Sequence, residues 1–176
     1  DVENAESLAW LFYSAKCLES VDFSNLDTSK VTDIGAMFWD CTALKNIEWG
    51  NFDTSNVTSM WWTFKNCSSL ETLDLSGFDT SNVVSMESMF YGCSTLSSVN
   101  LSSFNTSKVT TMYSMFASCR NLTKLDISSF STEAMENTDY MFYNCTNLTE
   151  IYVSKGWDLS GVYTGAMFAA CGTIRV

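Results

Sequence analysis

From Leu70 the chain reads LETLDLSGFDTSNVVSMESMFYGCST, and its apolar positions keep two rhythms in turn. Leu73 and Leu75 alternate with Thr72, Asp74 and Ser76, which predicts a short strand with one buried face. Val83, Met86, Met89, Phe90 and Cys93 then fall three and four residues apart, which predicts one face of a short helix. Between the two, Phe78 turns the corner. Asp79, Thr80 and Ser81 offer side-chain oxygens suited to capping the first amides of that helix. A helix this short is marginal alone in water, so the unit must be held by its neighbours.

The neighbours are copies of it. Cys41, Cys67, Cys93, Cys119, Cys145 and Cys171 are each 26 residues apart, and Phe12, Phe38, Phe64, Phe90, Phe116, Phe142 and Phe168 keep the same step. A fixed period of this length is the signature of a solenoid. Residues 1–176 therefore read as one domain. A partial coil, 1–17, precedes repeats 18–43, 44–69, 70–95, 96–121, 122–147 and 148–173, and 174–176 ends the chain. The expected architecture is an α/β repeat with short parallel strands on one face and short helices on the other. The last two copies drift: residues 131–138 lose the Asp-Thr-Ser cap and 155–162 slip by one, so the C-terminal end is expected to be less regular.

The pattern C-x-x-L-x-x-L-D-L-S-x-F-D-T-S-x-V-x-x-M-x-x-M-F-x-x-C, carried by Cys67 to Cys93, resembles the BspA-like leucine-rich repeat family of bacterial surface proteins. The resemblance covers nearly the whole chain. It implies a right-handed leucine-rich-repeat solenoid at a bacterial cell surface, with adhesion as the expected role. It brings no catalytic residues.

Charge narrows the partners. The chain carries 9 Lys+Arg against 20 Asp+Glu, a net charge of −11, which disfavours nucleic acid and anionic membrane surfaces. Its apolar runs are too short to insert in a bilayer. It has no His, which removes His-based catalysis and His metal sites. Opening on Asp1 without Met, it reads as a processed form or an excised fragment.

The cysteine column admits a stack of buried thiols, disulfides between adjacent coils, or metal or nucleophile chemistry. The last lacks both the short-spaced Cys pairs of zinc sites and a partnering base. Cys17 is off register and is expected to be the accessible thiol. The outward strand slot holds Asp22, Glu48, Asp74, Asn100, Asp126 and Tyr152, so Asp22, Glu48, Asp74 and Asp126 are candidate ligand-binding residues. Such a column serves as solvated surface, as a seat for a basic partner, or as a bridge for calcium, the one cofactor the pattern leaves open. Asp27, Asp53, Asp79 and Asn105 are assigned to turns and caps, as are Thr28, Thr54, Thr80, Thr106 and Thr132. A repeated carboxylate column offers no distinguishable acid–base pair, so no enzyme activity is expected.

On a helical wheel Trp61 flanks the core side and Trp62 faces water. The outward slots place Trp10, Tyr13, Trp39, Trp62, Tyr91, Tyr140 and Tyr143 on the helical face as candidate ligand-binding residues. Trp49 and Trp157 fall in core slots and are expected to be buried. Exposed aromatics with polar edges suit protein hot spots and sugars. The expected function is non-catalytic recognition or adhesion at a bacterial surface, outside the cell. Its partner is a surface protein or glycan of a host or neighbouring cell. The chain itself is expected to be a monomer with at most weak self-association. The alternative is a structural spacer that holds other modules off the wall.

Overall fold

The computed structural model describes residues 5–173. Six strands recur once per coil: β1 (Ser20–Asp22), β2 (Asn46–Glu48), β3 (Thr72–Asp74), β4 (Ser98–Asn100), β5 (Lys124–Ile127) and β6 (Glu150–Val153). They pair in parallel with a 26-residue register, Val21 opposite Ile47, Leu73 opposite Val99 and Leu125 opposite Ile151. The middle residue of each strand points inward and its flanks point out, as the alternation predicts.

The expected helices on the other face are absent: among the described residues there is none. The segment that carries the three-and-four spacing forms a tape of stacked turns. The amides of Ile34, Ala36, Phe38 and Asp40 leave the coil and donate to the carbonyls of Ser59, Trp61, Thr63 and Lys65, at 3.2, 2.8, 2.9 and 2.9 Å. Those of Met37, Trp39 and Cys41 donate within the coil to Ile34, Ala36 and Phe38, three residues back. A helix of two turns would leave four N–H and four C=O groups unpartnered at its ends. The tape pairs alternate amides with the next coil instead, and the pattern recurs from coil to coil. The first and last of these turns take positive φ at their third residue, supplied by Ala36 and Asp40 (54° and 61°), by Trp62 and Asn66 (57° and 61°), and by their equivalents. Left-handed backbone costs a non-glycine residue about 1 kcal/mol, and the inter-coil bonds offset it.

The spacing nevertheless selects the right core. Val57, Met60, Phe64 and Cys67 are fully buried. The rings from Phe12 to Phe168 stack on one another at 5.3–5.8 Å and within 11° of parallel. All seven cysteines are free thiols. Each ladder thiol donates to the carbonyl of a Phe one coil back, as Cys67 does to Phe38 (3.2 Å) and Cys93 to Phe64 (3.0 Å).

Threonine does more than cap its own turn. Thr54, buried, donates through Oγ1 to the carbonyl of Asp79 (2.9 Å) and accepts from the Asp79 amide (2.8 Å). Thr28, Thr80 and Thr106 grip the next coil in the same two-handed way. At Thr132 only one bond remains, from the amide of Asp158, one residue later than the repeat dictates. That is the expected C-terminal slip.

The two long ladders differ in continuity. A column of single bridges runs unbroken through Ser7, Asp33, Ser59, Ser85, Thr111, Asn137 and Tyr163. The strands, by contrast, form three separate pairs, β1–β2, β3–β4 and β5–β6. Phe23 donates to the Glu48 carbonyl and Leu75 to that of Asn100, but Trp49 and Leu101, in the same slot, make no such bond to the next coil.

Candidate recognition surfaces

The aromatic surface is built on the turn tape. Trp10, Tyr13, Trp39, Trp61 and Trp62 form one cluster with centroid separations of 4.7–5.4 Å. Most of these rings meet edge to face, at 70–86°. Lys65 lies in their midst, its Nζ 3.9 Å from the Trp62 ring and 5.2 Å from those of Trp39 and Tyr91. This cation–π contact partly buries the ammonium. Desolvation lowers its pKa, opposed by the charges of Asp40 and Glu87. Trp62 Nε1 donates to Glu87 (3.4 Å), whereas the buried Nε1 of Trp39 has no partner.

Exposure is uneven. Trp10 and Tyr13 are 43% and 46% exposed, while Trp39, Trp62 and Tyr91 are half-buried. Tyr140 and Tyr143 belong to a second, smaller cluster with Tyr113, in the two coils that follow that of Tyr91. The expected division of Trp61 from Trp62 fails with the helix on which it rested. Both indoles are half-buried on one surface, in contact at 5.1 Å. Sequence reasoning missed Trp61 and Lys65 as members of the cluster. A signal existed, because the slot of Trp61 holds Gly35, Glu87 and Tyr113, and no core column varies so widely. Gly35 is what lets Trp61 reach Trp10: a Cβ there would collide with the indole nitrogen of Trp61.

On the strand face Asp22, Glu48, Asp74 and Asp126 are exposed and aligned, Asp22 opposite Glu48 and Asp74 opposite Asn100. Their oxygens are engaged in turns. Asp22, Asp74 and Asp126 accept from the amides of Ser24, Ser76 and Ser128 at 2.8–3.0 Å. Hydrogen bonds from the hydroxyls of Ser24 and Ser128 and the amide of Ser76, each joined by the other group of the same serine, lower the pKa of the three carboxyls. Asp27, Asp53 and Asp79 likewise accept from the amides of Ser29, Ser55 and Ser81, as the turn assignment expects. Among the described residues no three acidic or thiol side chains converge on one point.

Where the strand ladder breaks, the surface opens. A groove of about 660 Å³ lies between β2 and β3, and one of about 240 Å³ between β4 and β5. Trp49, in a core slot, is only half-buried because it forms part of the first groove; Trp157 is also half-buried. The five buried ladder thiols, Cys41 to Cys145, are shielded from reaction: burial pushes Cys93 and Cys145 up to about 12 and Cys41 to about 11. Cys17 is exposed and Cys171 half-buried.

The chain matches the family described as "Mycoplasma protein of unknown function, DUF285" twice, over residues 6–99 and 62–175. The two matches overlap, as a repeat permits. No curated protein matches the chain. Among solved structures it is similar to a leucine-rich repeat protein from Bacteroides ovatus ATCC 8483, with 16% identity and a TM-score of 0.54. That likeness covers 94% of this chain and 44% of the other, and at this identity it speaks for the fold alone.

Proposed function

The chain belongs to the DUF285 family, and from that premise we propose that it is a BspA-like, extracellular recognition module of a bacterial surface, binding a partner protein without catalysis. The observation that carries the reading is the continuous cluster of Trp10, Tyr13, Trp39, Trp61, Trp62 and Tyr91 around Lys65. Large aromatics and embedded charges are what protein hot spots use. A protein suits this patch better than a glycan, since edge-to-face packing turns many ring faces against neighbouring rings and away from a flat sugar. Non-catalytic action is supported by the acids: Asp22, Asp74, Asp79 and Asp126 are all shifted down, the wrong direction for a general acid.

The test is binding of the purified chain to a panel of extracellular-matrix proteins, with Trp62→Ser and Tyr91→Ala as probes. Serine already occupies the slot of Trp62 at Ser88 and Ser114, with positive φ, so the variant keeps the fold. Binding that falls at least tenfold in the double variant supports the reading. A chain that binds no protein refutes this reading and favours the spacer of the alternative.

A further inference from the structure

The two grooves on the strand face are one feature repeated. Glu48, Trp49, Gly50, Asp74, Ser76 and Gly77 at the first correspond, 52 residues on, to Asn100, Leu101, Ser102, Asp126, Ser128 and Ser129 at the second. Each sits where the parallel ladder is interrupted, so the feature recurs once every two coils. The interruption leaves backbone donors unpaired at the groove edges. The amides of Trp49 and Glu71 lack the inter-coil bonds that Phe23, Leu75 and Ser97 make in the same slots. Side chains respect the break as well, for Lys45 turns back to Glu19 (2.9 Å) inside its own strand pair.

Two glycines account for the larger size of the first groove. Gly50, at φ 56°, packs so closely on the preceding coil that a Cβ would lie 2.5 Å from the Cα of Ser24. The β2 turn thus leans toward β1 and away from β3. Gly77 stands where Ser103 and Ser129 reach back to the carbonyls of Leu75 and Leu101. A Cβ at Gly77 would meet nothing within 4 Å.

We propose that the pair of grooves binds a linear, neutral, β-linked polysaccharide lying along the solenoid axis, a site separate from the aromatic cluster and independent of its reading. The chemistry of the lining suits hydroxyl groups: Asn46, Asn51, Asp74 and Ser76 supply amide, carboxylate and hydroxyl oxygens beside the apolar wall of Trp49. The charge selects against polyanions, with Glu48 and Asp74 at the first groove, Asp126 at the second, and a net charge of −11 behind them. The spacing selects the polymer. Two coils at the ~4.8 Å spacing of stacked strands place the grooves about 10 Å apart. That is commensurate with the two-sugar repeat of an extended β-linked chain. An extended peptide repeats its side-chain pattern every ~6.7 Å and falls out of step.

The experiment is calorimetric titration of the 176-residue chain with cellohexaose, chitohexaose and cellobiose. At least one hexasaccharide is expected to bind, and at least tenfold more tightly than cellobiose, which reaches a single groove. Gly77→Ser places in the larger groove the side chain that Ser103 and Ser129 carry in the same slot, and should weaken hexasaccharide binding about tenfold or more while leaving the melting temperature unchanged. Trp62→Ser should leave it unaltered. Failure of both hexasaccharides to bind overturns the proposal, as does preferential binding of poly-L-lysine, or binding lost in Trp62→Ser and kept in Gly77→Ser. None of these results bears on protein binding by the aromatic cluster.

Discussion

Removing one thiol from the ladder should take away a calculable part of this protein's loss of stability at alkaline pH. Cys93 is fully buried, donates to the Phe64 carbonyl at 3.0 Å, and is held by desolvation at a pKa of about 12 against an ordinary 9.0. The folded-state pKa is raised. Its contribution is therefore complete below pH 9 and is lost as pH climbs toward 12, because the unfolded chain gives up the proton first. At pH ~10 an unfolded thiol is about ten-elevenths ionised while the folded one keeps its proton, a loss of about 1.4 kcal/mol for this residue. Cys93→Ala cannot lose it. At pH ~7.5 the variant should be about 1–2 kcal/mol less stable than the parent, through the missing hydrogen bond and a small void. At pH ~10 that gap should shrink by about 1.4 kcal/mol and nearly close. Urea unfolding of both chains at the two pH values, in reductant, measures the difference, and every other titrating group cancels between them. An identical gap at both pH values would refute a buried, protonated ladder.

Thr80→Val removes two inter-coil hydrogen bonds at nearly constant volume and should cost about 2–3 kcal/mol in urea unfolding; Thr80→Ser should recover most of it. Treated with a thiol reagent at neutral pH, the folded chain should show one fast cysteine, Cys17, and a slower one, Cys171, with the five buried thiols reacting only on unfolding; early modification of Cys67 or Cys119 would contradict the packing. Gly35→Ala should displace Trp61 from Trp10 and change the tryptophan emission while altering stability by about 1 kcal/mol or less. An unchanged spectrum would place Trp61 elsewhere.

Much of this architecture was legible in the chain because each residue's environment repeats. The 26-residue step of Cys and Phe implies that equivalent side chains stack, and the stack of Phe12 to Phe168 follows from it. The alternation around Leu73 reads directly as a strand with one buried face. The column of turn-forming Asp at Asp27, Asp53 and Asp79 is equally local, since each side chain serves an amide two residues away. The candidate sites were less legible. The aromatic slots could be named, yet their partition into a cluster around Lys65 and a separate group at Tyr113, Tyr140 and Tyr143 depends on which long side chains reach across coils.

The sequence by itself determined the period, the register and the identity of the buried columns, because these need only that equal residues take equal positions. The tertiary structure decided where the backbone hydrogen bonds go. A three-and-four spacing buries one side of a helix or of a stacked-turn tape equally well. Only the presence of a neighbouring coil, offering a carbonyl to every second amide, makes the tape the better choice despite the positive φ it imposes on Trp62 and Ala36. The pauses in the strand ladder and their grooves are decided at the same level. They arise from how closely one coil leans on the next, as Gly50 does on Ser24, and no residue carries that distance in its own identity.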